Sequence, residues 1–430
     1  MALLIWRDIR HHAHLWLWSL LVCGTGALFI GAIIVTWWSA HRWALLQPDP
    51  GLPLVAGIIG ANLVTYGGLA TAAVLATTAG LTVAAQRRSH ALWRILGIPG
   101  PRIRTVVLTQ VGLVAIAGGA IGAALAVPAV GTHLLSWRDV PLFPVDLPVV
   151  VPWFAWPTTV LLTLAFALLG ALGAARRAAT VPEMRALRDA AAPEVTTRWW
   201  QWLLAALLGF GAVSRFRDGD GGAAGQLVTV ATLLIPQWTL RPLLWWTRLW
   251  PGGNAWFAAC AAVRHRAALS LTTIAPFAIA VGMTGTSYAI AGARRAAGLP
   301  DGGAGFLTVA VPVLTIAGVG AVAAIAMLGR DRRREAALLE VIGARRGVVV
   351  ASTILEGVIL AVTGIIHGLA MTALTASLVP LASGGGWPIV LPTVELVPVA
   401  AATLLLAVAA TWLPLHMRRR PLRDALRQPA

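Results

Sequence analysis

Lysine is absent from this sequence; all 33 basic residues are arginine. A Walker A loop needs a lysine on the nucleotide phosphates, so the chain encodes no conventional P-loop ATPase. Charge is scarce altogether. Of 430 residues, 11% are charged and 58% hydrophobic, where a soluble domain carries about 25% charged. Mean hydropathy is +0.79, which excludes an ordinary soluble protein. Acidic residues number only 16, leaving a net charge of +17. A nucleic-acid binder would share that sign, but arginine-rich inner loops of a polytopic membrane protein account for it better, and no nucleic-acid partner is expected. The two cysteines, Cys23 in an apolar run and Cys260 in an approach segment, suggest neither a disulfide nor a metal centre. HExxH, GxSxG, CxxC and paired carboxylates at a plausible spacing are missing too. The chain is therefore read as a non-enzyme with no metal or cofactor of its own.

What the sequence has in abundance is long apolar runs, many of 18 residues or more and so long enough to span a bilayer. The first, about Leu15–Trp38, is bracketed by Trp16 and Trp18 at one end and Trp37 and Trp38 at the other. Trp16 to Trp37 spans roughly 32 Å of helix, the spacing of two aromatic belts. It is longer than a signal-peptide core and shows no obvious cleavage site. Further spans are expected at about 57–85, 105–130, 153–175, 199–213, 224–244, 268–291, 305–328, 348–380 and 394–415. Arginines near the ends of these segments place both termini and the 176–198 stretch on the cytoplasmic side of the plasma membrane. The expected fold is all-α, with ten transmembrane helices arranged as four, two and four. Residues 1–190 form a first four-span unit, 191–250 a linking hairpin, and 251–430 a second four-span unit.

The two units carry the same short charged segment. QRRSHALWRILGIPGPRIRTVVLTQ runs from Gln86 to Gln110, and RRREAALLEVIGARRGVVVASTILE from Arg332 to Glu356. Arg87 and Arg88 match Arg333 and Arg334, Leu92 matches Leu338, and Gly97 matches Gly343. The register continues into the next apolar run, where Gly118 and Gly122 match Gly364 and Gly368. Both units begin inside, so they are parallel repeats about an axis near the membrane normal. In the second copy Leu338, Val341 and Ile342 share one helical face, opposite Arg333 and Glu340; in the first Leu92, Ile95 and Leu96 oppose Arg87 and Arg94. Gly97 and Gly343 stand where a left-handed helix cap would go. Each segment reads either as a lipid-surface helix whose arginines set topology or as a docking surface. Preservation of the apolar face in both copies favours docking.

The pattern RRREaaLLevIGArr…llE, followed by a glycine-rich helix and a terminal basic a-L-R, resembles the FtsX-like permease family of ABC transporter membrane subunits. The resemblance covers both four-span units and is stronger in the second. In the first, Ser89 replaces an acidic residue matched by Glu335, Pro99 and Pro101 interrupt the link, and Gln110 stands where Glu356 stands. The resemblance implies that Arg87–Gly97 and Arg333–Gly343 are coupling helices that dock into a separate ABC ATPase. That partner, expected in two copies per chain, would bind the ATP and Mg. Ten spans also resemble bacitracin-type permeases, without their large extracellular domain. Export of an amphipathic or hydrophobic substrate (a peptide antibiotic, drug or lipid) follows as an expectation. The alternative is a cargo-free subunit that transmits ATPase motion to an extracytoplasmic partner.

Other residues invite a role inside the membrane. Gly118-xxx-Gly122 and Gly364-xxx-Gly368 suit close helix crossing, either where the units meet or within each. Gln110 and Glu356 hold equivalent polar positions, and an intramembrane carboxylate is usually partnered; an ion pair with an adjacent arginine and a proton relay are the two readings of Glu356. His367 reads as a packing histidine. His11, His12 and His14 read as a headgroup-facing cluster before a metal site.

Overall fold

The computed structural model describes residues 2–49, 51–135, 147–180, 199–249, 252–265, 267–298, 311–312, 314–324, 327, 338–386 and 388–416, among which there is no strand. The first half contains α1 (Ala2–His11), α2 (Ala13–Ala44), α3 (Leu52–Ala85), α4 (Arg87–Ile95), α5 (Gly100–Leu135) and α6 (Ala155–Thr180). Then come α7 (Trp199–Arg217), α8 (Gly221–Leu234), α9 (Pro236–Leu243) and a 3-10 turn at Leu244–Arg248. The last part is α10 (Asn254–His265), α11 (Ala267–Ala296), α12 (Leu314–Ala324), α13 (Arg346–Ala382) and α14 (Thr393–His416).

Among the described residues, six helices are long and apolar enough to cross a bilayer, within α2, α5, α6, α11, α13 and α14. A seventh crossing is counted if α8 and the segment from Pro236 to Arg248 are one span, bent by 87°. Of the ten expected spans, six or seven are thus seen among the described residues. The run expected to cross at 224–244 breaks after Leu234, because Pro236 has no N–H to continue the ladder and starts a new helix at its first position. The expected span at 305–328 is described only as α12 with a few flanking residues. The outer loop at 136–146 and the stretch 181–198 lie outside the described residues.

Helix crossings are set by glycine. A Cβ on Gly118 would sit 2.7 Å from Cys23 Cβ, 3.0 Å from Leu20 O and 3.1 Å from Gly24 N. One turn on, a Cβ on Gly122 would strike Gly24 O, Ala27 Cβ and Leu28 N. So α5 lies backbone to backbone on α2, and only hydrogen in place of a side chain lets it come this close. Likewise a Cβ on Gly364 would sit 2.6 Å from Phe277 Cβ, 3.0 Å from Ala278 N and 3.2 Å from Ile274 O, and one on Gly368 2.7 Å from Val281 Cβ and 2.8 Å from Gly282 N. Here α13 lies on α11 in the same way. Leu20, Cys23, Gly24, Ala27 and Leu28 stand in α2 with the same spacing as Ile274, Phe277, Ala278, Val281 and Gly282 in α11. Both glycine pairs therefore pack within their own half.

The halves meet where α3 runs beside α11 and α12. Val74, Leu75 and Ala79 share a core with Ile279, Met283, Ile316 and Ala323, and Leu15 and Leu81 share one with Ala324 and Met327. At the closest approach the Val74 side chain occupies the place where Gly320 would carry a Cβ. The α7–α8 hairpin does not sit between the halves. Through Gly221, Gly222 and Gly225, which press on Leu378, Ile290 and Thr375, α8 lodges against α13 and α11.

Candidate functional site

The C-terminal ends of the two charged segments fold alike, hydrogen bond for hydrogen bond. At the end of α4, Leu96 N donates to Leu92 O (3.0 Å), Gly97 N to Arg94 O (2.9 Å) and Ile98 N to Trp93 O (3.0 Å). In the second segment Ile342 N donates to Leu338 O (3.0 Å), Gly343 N to Glu340 O (3.1 Å) and Ala344 N to Leu339 O (2.9 Å). Both are Schellman caps, with the glycine in the left-handed region: φ is +84° at Gly97 and +103° at Gly343. A side chain there would be strained, which is why the sequence has glycine at both points. Three residues after each glycine the next helix begins, with Ile103 N on Pro99 O and Val349 N on Arg345 O.

Beside these caps the apolar side chains face outward. Leu92 and Ile95 are exposed, and Leu96 is 78% exposed; Leu338 and Val341 are exposed, and Ile342 is 82% exposed. Large apolar residues presented in this number on a short helix mark a surface that something else covers. Arg94 fastens α4 from behind, its Nη1 donating to Ala179 O at the end of α6 (2.7 Å). Glu340, its counterpart, is half-buried. Arg87 and Arg88 open α4 but their side chains lie outside the described residues, as do Arg333, Arg334 and Glu335 altogether.

Under α4 lies a polar cluster that no sequence motif announces. Gln110, fully buried in α5, donates from Nε2 to Asp8 Oδ2 of α1 at 2.8 Å. His12 Nδ1 stands 3.3 Å from Asp8 Oδ1. Burial works against the Asp8 carboxylate, but the hydrogen bonds from His12 and Gln110 and the charges of His12 and His90 outweigh it and hold its pKa below the ordinary carboxylate value. His90 in α4 is 2% exposed and rests edge-on against Trp93 at 5.3 Å. Burial lowers its pKa to about 4, opposed by the nearby Asp8 carboxylate and reinforced by His12. Gln86, beside it, is buried as well. The one available signal was that Asp8 is the only acidic residue before Asp49.

Glu356 and His367 are buried in α13. His367 Nε2 lies 3.2 Å from Thr232 Oγ1 of α8, and Trp246 Nε1 donates to Thr363 Oγ1 one turn earlier at 3.0 Å. The bent α8–α9 segment is thus bonded to α13 by side chains on both sides of its break. Of the three early histidines, His12 faces Asp8 and His11 packs edge-on against it at 4.9 Å; the His14 side chain is outside the described residues. Among the described residues no group of three or more His, Cys, Asp or Glu could hold a metal ion. Cys23 and Cys260 are both buried and free.

Bundled apolar helices with bilayer-length spans define a multi-pass membrane protein. Residues 307–421, which take in α12, the second charged segment, α13 and α14, match the FtsX-like permease C-terminal family. No curated protein matches the chain.

Proposed function

We propose that the chain is the membrane subunit of an ATP-driven permease made of two fused FtsX-like repeats, and that an ABC ATPase docks on both capped segments. One observation carries this reading: Leu92, Ile95 and Leu96 and their counterparts Leu338, Val341 and Ile342 are exposed beside the same glycine cap. The family matched at 307–421 works in general with such an ATPase. Each cap leads at once into the long helix, α5 or α13, that crosses its neighbour at glycine. A push on the short helix therefore reaches the bilayer interior through rigid backbone contact. ATP and Mg belong to the partner, in two copies, one per segment; this chain moves with hydrolysis and does not perform it. Both termini and both segments lie in the cytoplasm under the plasma membrane.

The cargo is amphipathic or hydrophobic, entering from the bilayer and leaving outward. Transmission of motion without cargo needs an outer handle, and the described outer links at 45–51 and 383–392 are too short for a folded one. The test is co-purification and reconstitution with the cognate ABC ATPase. Leu96→Asp and Ile342→Asp each weaken ATPase binding at least tenfold and reduce substrate-stimulated hydrolysis. Undiminished stimulation in the double variant, or ATP hydrolysis by this chain alone, overturns the reading.

A further inference from the structure

One cleft in the bundle is left over by this account. It lies between α11, α12 and α14, has a volume of about 280 Å³, and is lined by Pro276, Phe277, Leu314, Gly318, Ala402 and Leu406, with small apolar residues between them. Its one polar side chain, Thr403, already donates its hydroxyl to Val399 O at 2.7 Å. Pro276 and Pro398 present ring methylenes and no N–H. The lining thus offers an occupant no side-chain donor and a single acceptor oxygen, that of Thr403, among apolar side chains.

Its depth narrows the choice. The α11 lining residues, Pro276 to Ala280, stand nine to thirteen residues into a helix beginning at Ala267, roughly 14–20 Å along it. The α14 lining, Pro398 to Leu406, is reached by a helix entering from the opposite face. The cleft is therefore at the middle of the hydrocarbon layer, about 30 Å thick, and α14 is a helix with one side open to lipid: Val397 and Leu405, beside the cleft, are exposed.

The first half closes the matching space with its own residues. Among α2, α3 and α6, the Phe166 ring stands 3.1 Å from where Gly68 would carry a Cβ, and the Thr71 methyl fills the place of a side chain at Gly26. One half is plugged by an aromatic side chain; the other presents a slot of similar chemistry with none of the described residues filling it.

We propose that this cleft binds one hydrocarbon chain of a bilayer phospholipid, held between α11, α12 and α14 where Phe166 plugs the other half. The site is independent of ATPase docking. To test it, the purified chain is placed in nanodiscs of phosphatidylglycerol and phosphatidylcholine carrying a trace of phosphatidylcholine with a mid-chain diazirine, and adducts are mapped by mass spectrometry after illumination. Adducts are expected to concentrate on Pro276–Ala280 and Pro398–Leu406, at least fivefold above the lipid-facing surface of α7. Gly318→Trp, which fills the cleft, lowers them at least fivefold and leaves α7 labelling unchanged. Ala402→Phe does the same from the opposite wall and guards against a folding defect in the first variant, with the thermal midpoint of each as a check. Labelling spread evenly over α7 and α14, or adducts at the cleft unaltered by both substitutions, overturns the proposal. So does labelling by a diazirine lipopeptide that phospholipid fails to compete away, or a cross-link to a second copy of the chain at these residues.

Discussion

Replacing Gly122 or Gly368 with alanine tests the helix crossings directly. The neighbours that a new methyl would meet are backbone atoms and side-chain atoms at or next to a Cβ fixed to the backbone, which have little room to swing aside. At Gly368 the closest are Val281 Cβ at 2.7 Å and Gly282 N at 2.8 Å, and ordinary contact begins at 3.4 Å, so α13 must retreat from α11 by about 0.7 Å. A gap of that size forfeits about a quarter to a half of each contact along the crossing, and overpacking of a tight core costs about 1–3 kcal/mol. Gly122 meets Gly24 O more closely still, so its variant lies at the upper end. Controls are Gly80→Ala and Gly131→Ala, helical positions with nothing within 4 Å, where alanine is neutral or favourable by up to about 1 kcal/mol. Cys23 and Cys260 are buried and free, so a thiol-reactive fluorophore followed through a thermal ramp in detergent reports unfolding of either half. Both crossing variants melt below wild type, both controls do not, and the double variant falls by the sum, since the sites share no neighbours. Crossing variants as stable as Gly131→Ala would refute the backbone-to-backbone geometry.

Three further outcomes follow. Gly97→Ala and Gly343→Ala force a side chain into left-handed backbone, at about 1–2 kcal/mol each, and are read as faster amide exchange in the preceding turn; Gly347→Ala, with open space around it and ordinary φ, leaves exchange unchanged. Detachment of α4 is acid-sensitive. His90 is held neutral down to about pH 4 in place and takes up a proton near 6.5 once solvated, so opening is unaffected above pH 6.5 and becomes easier as pH falls toward 4, by about 3 kcal/mol at most. His90→Gln flattens that profile in pH-corrected exchange of α4 amides; Asp8, whose carboxylate is held below its usual pKa, loses its own contribution only as pH falls further, through that depressed value. Gln110→Leu removes one charge-assisted bond from the Asp8 carboxylate, worth about 1.5–3 kcal/mol, and loosens α1, seen as protease cleavage within residues 2–12 that Gln110→Asn suppresses in part.

Much of this was legible in the residues because it is local or repeated. The cap glycines were readable from Gly97 and Gly343 each following a short amphipathic stretch, and the tight crossings from four-residue glycine spacing in an apolar run. Which helix those glycines touch was not, since small-residue spacing names a face and no partner. The Asp8–Gln110 bond joins residues far apart in sequence and depends on α1 folding back beneath α4, which no periodicity encodes. The bend at Pro236 was not legible for a physical reason: an apolar run of this length reads as a span even with Pro236 and Pro242 in it, but a proline that fits the first turn of a new helix serves a sharp bend equally well. Residues 191–250 read as a linking hairpin because they lie between the repeats in sequence; the glycines of α8 that seat it on α13 are as common in links as in interfaces.

The contact between Val74 and Gly320 has a further meaning. These residues precede Arg87 and Arg333 by the same interval, so the two halves touch at their own corresponding position. In an assembly of two identical chains that position would oppose itself, and valine against valine would wedge the helices apart while glycine against glycine would leave a void. Carrying both versions on one polypeptide lets a bulge on one side seat in a dent on the other.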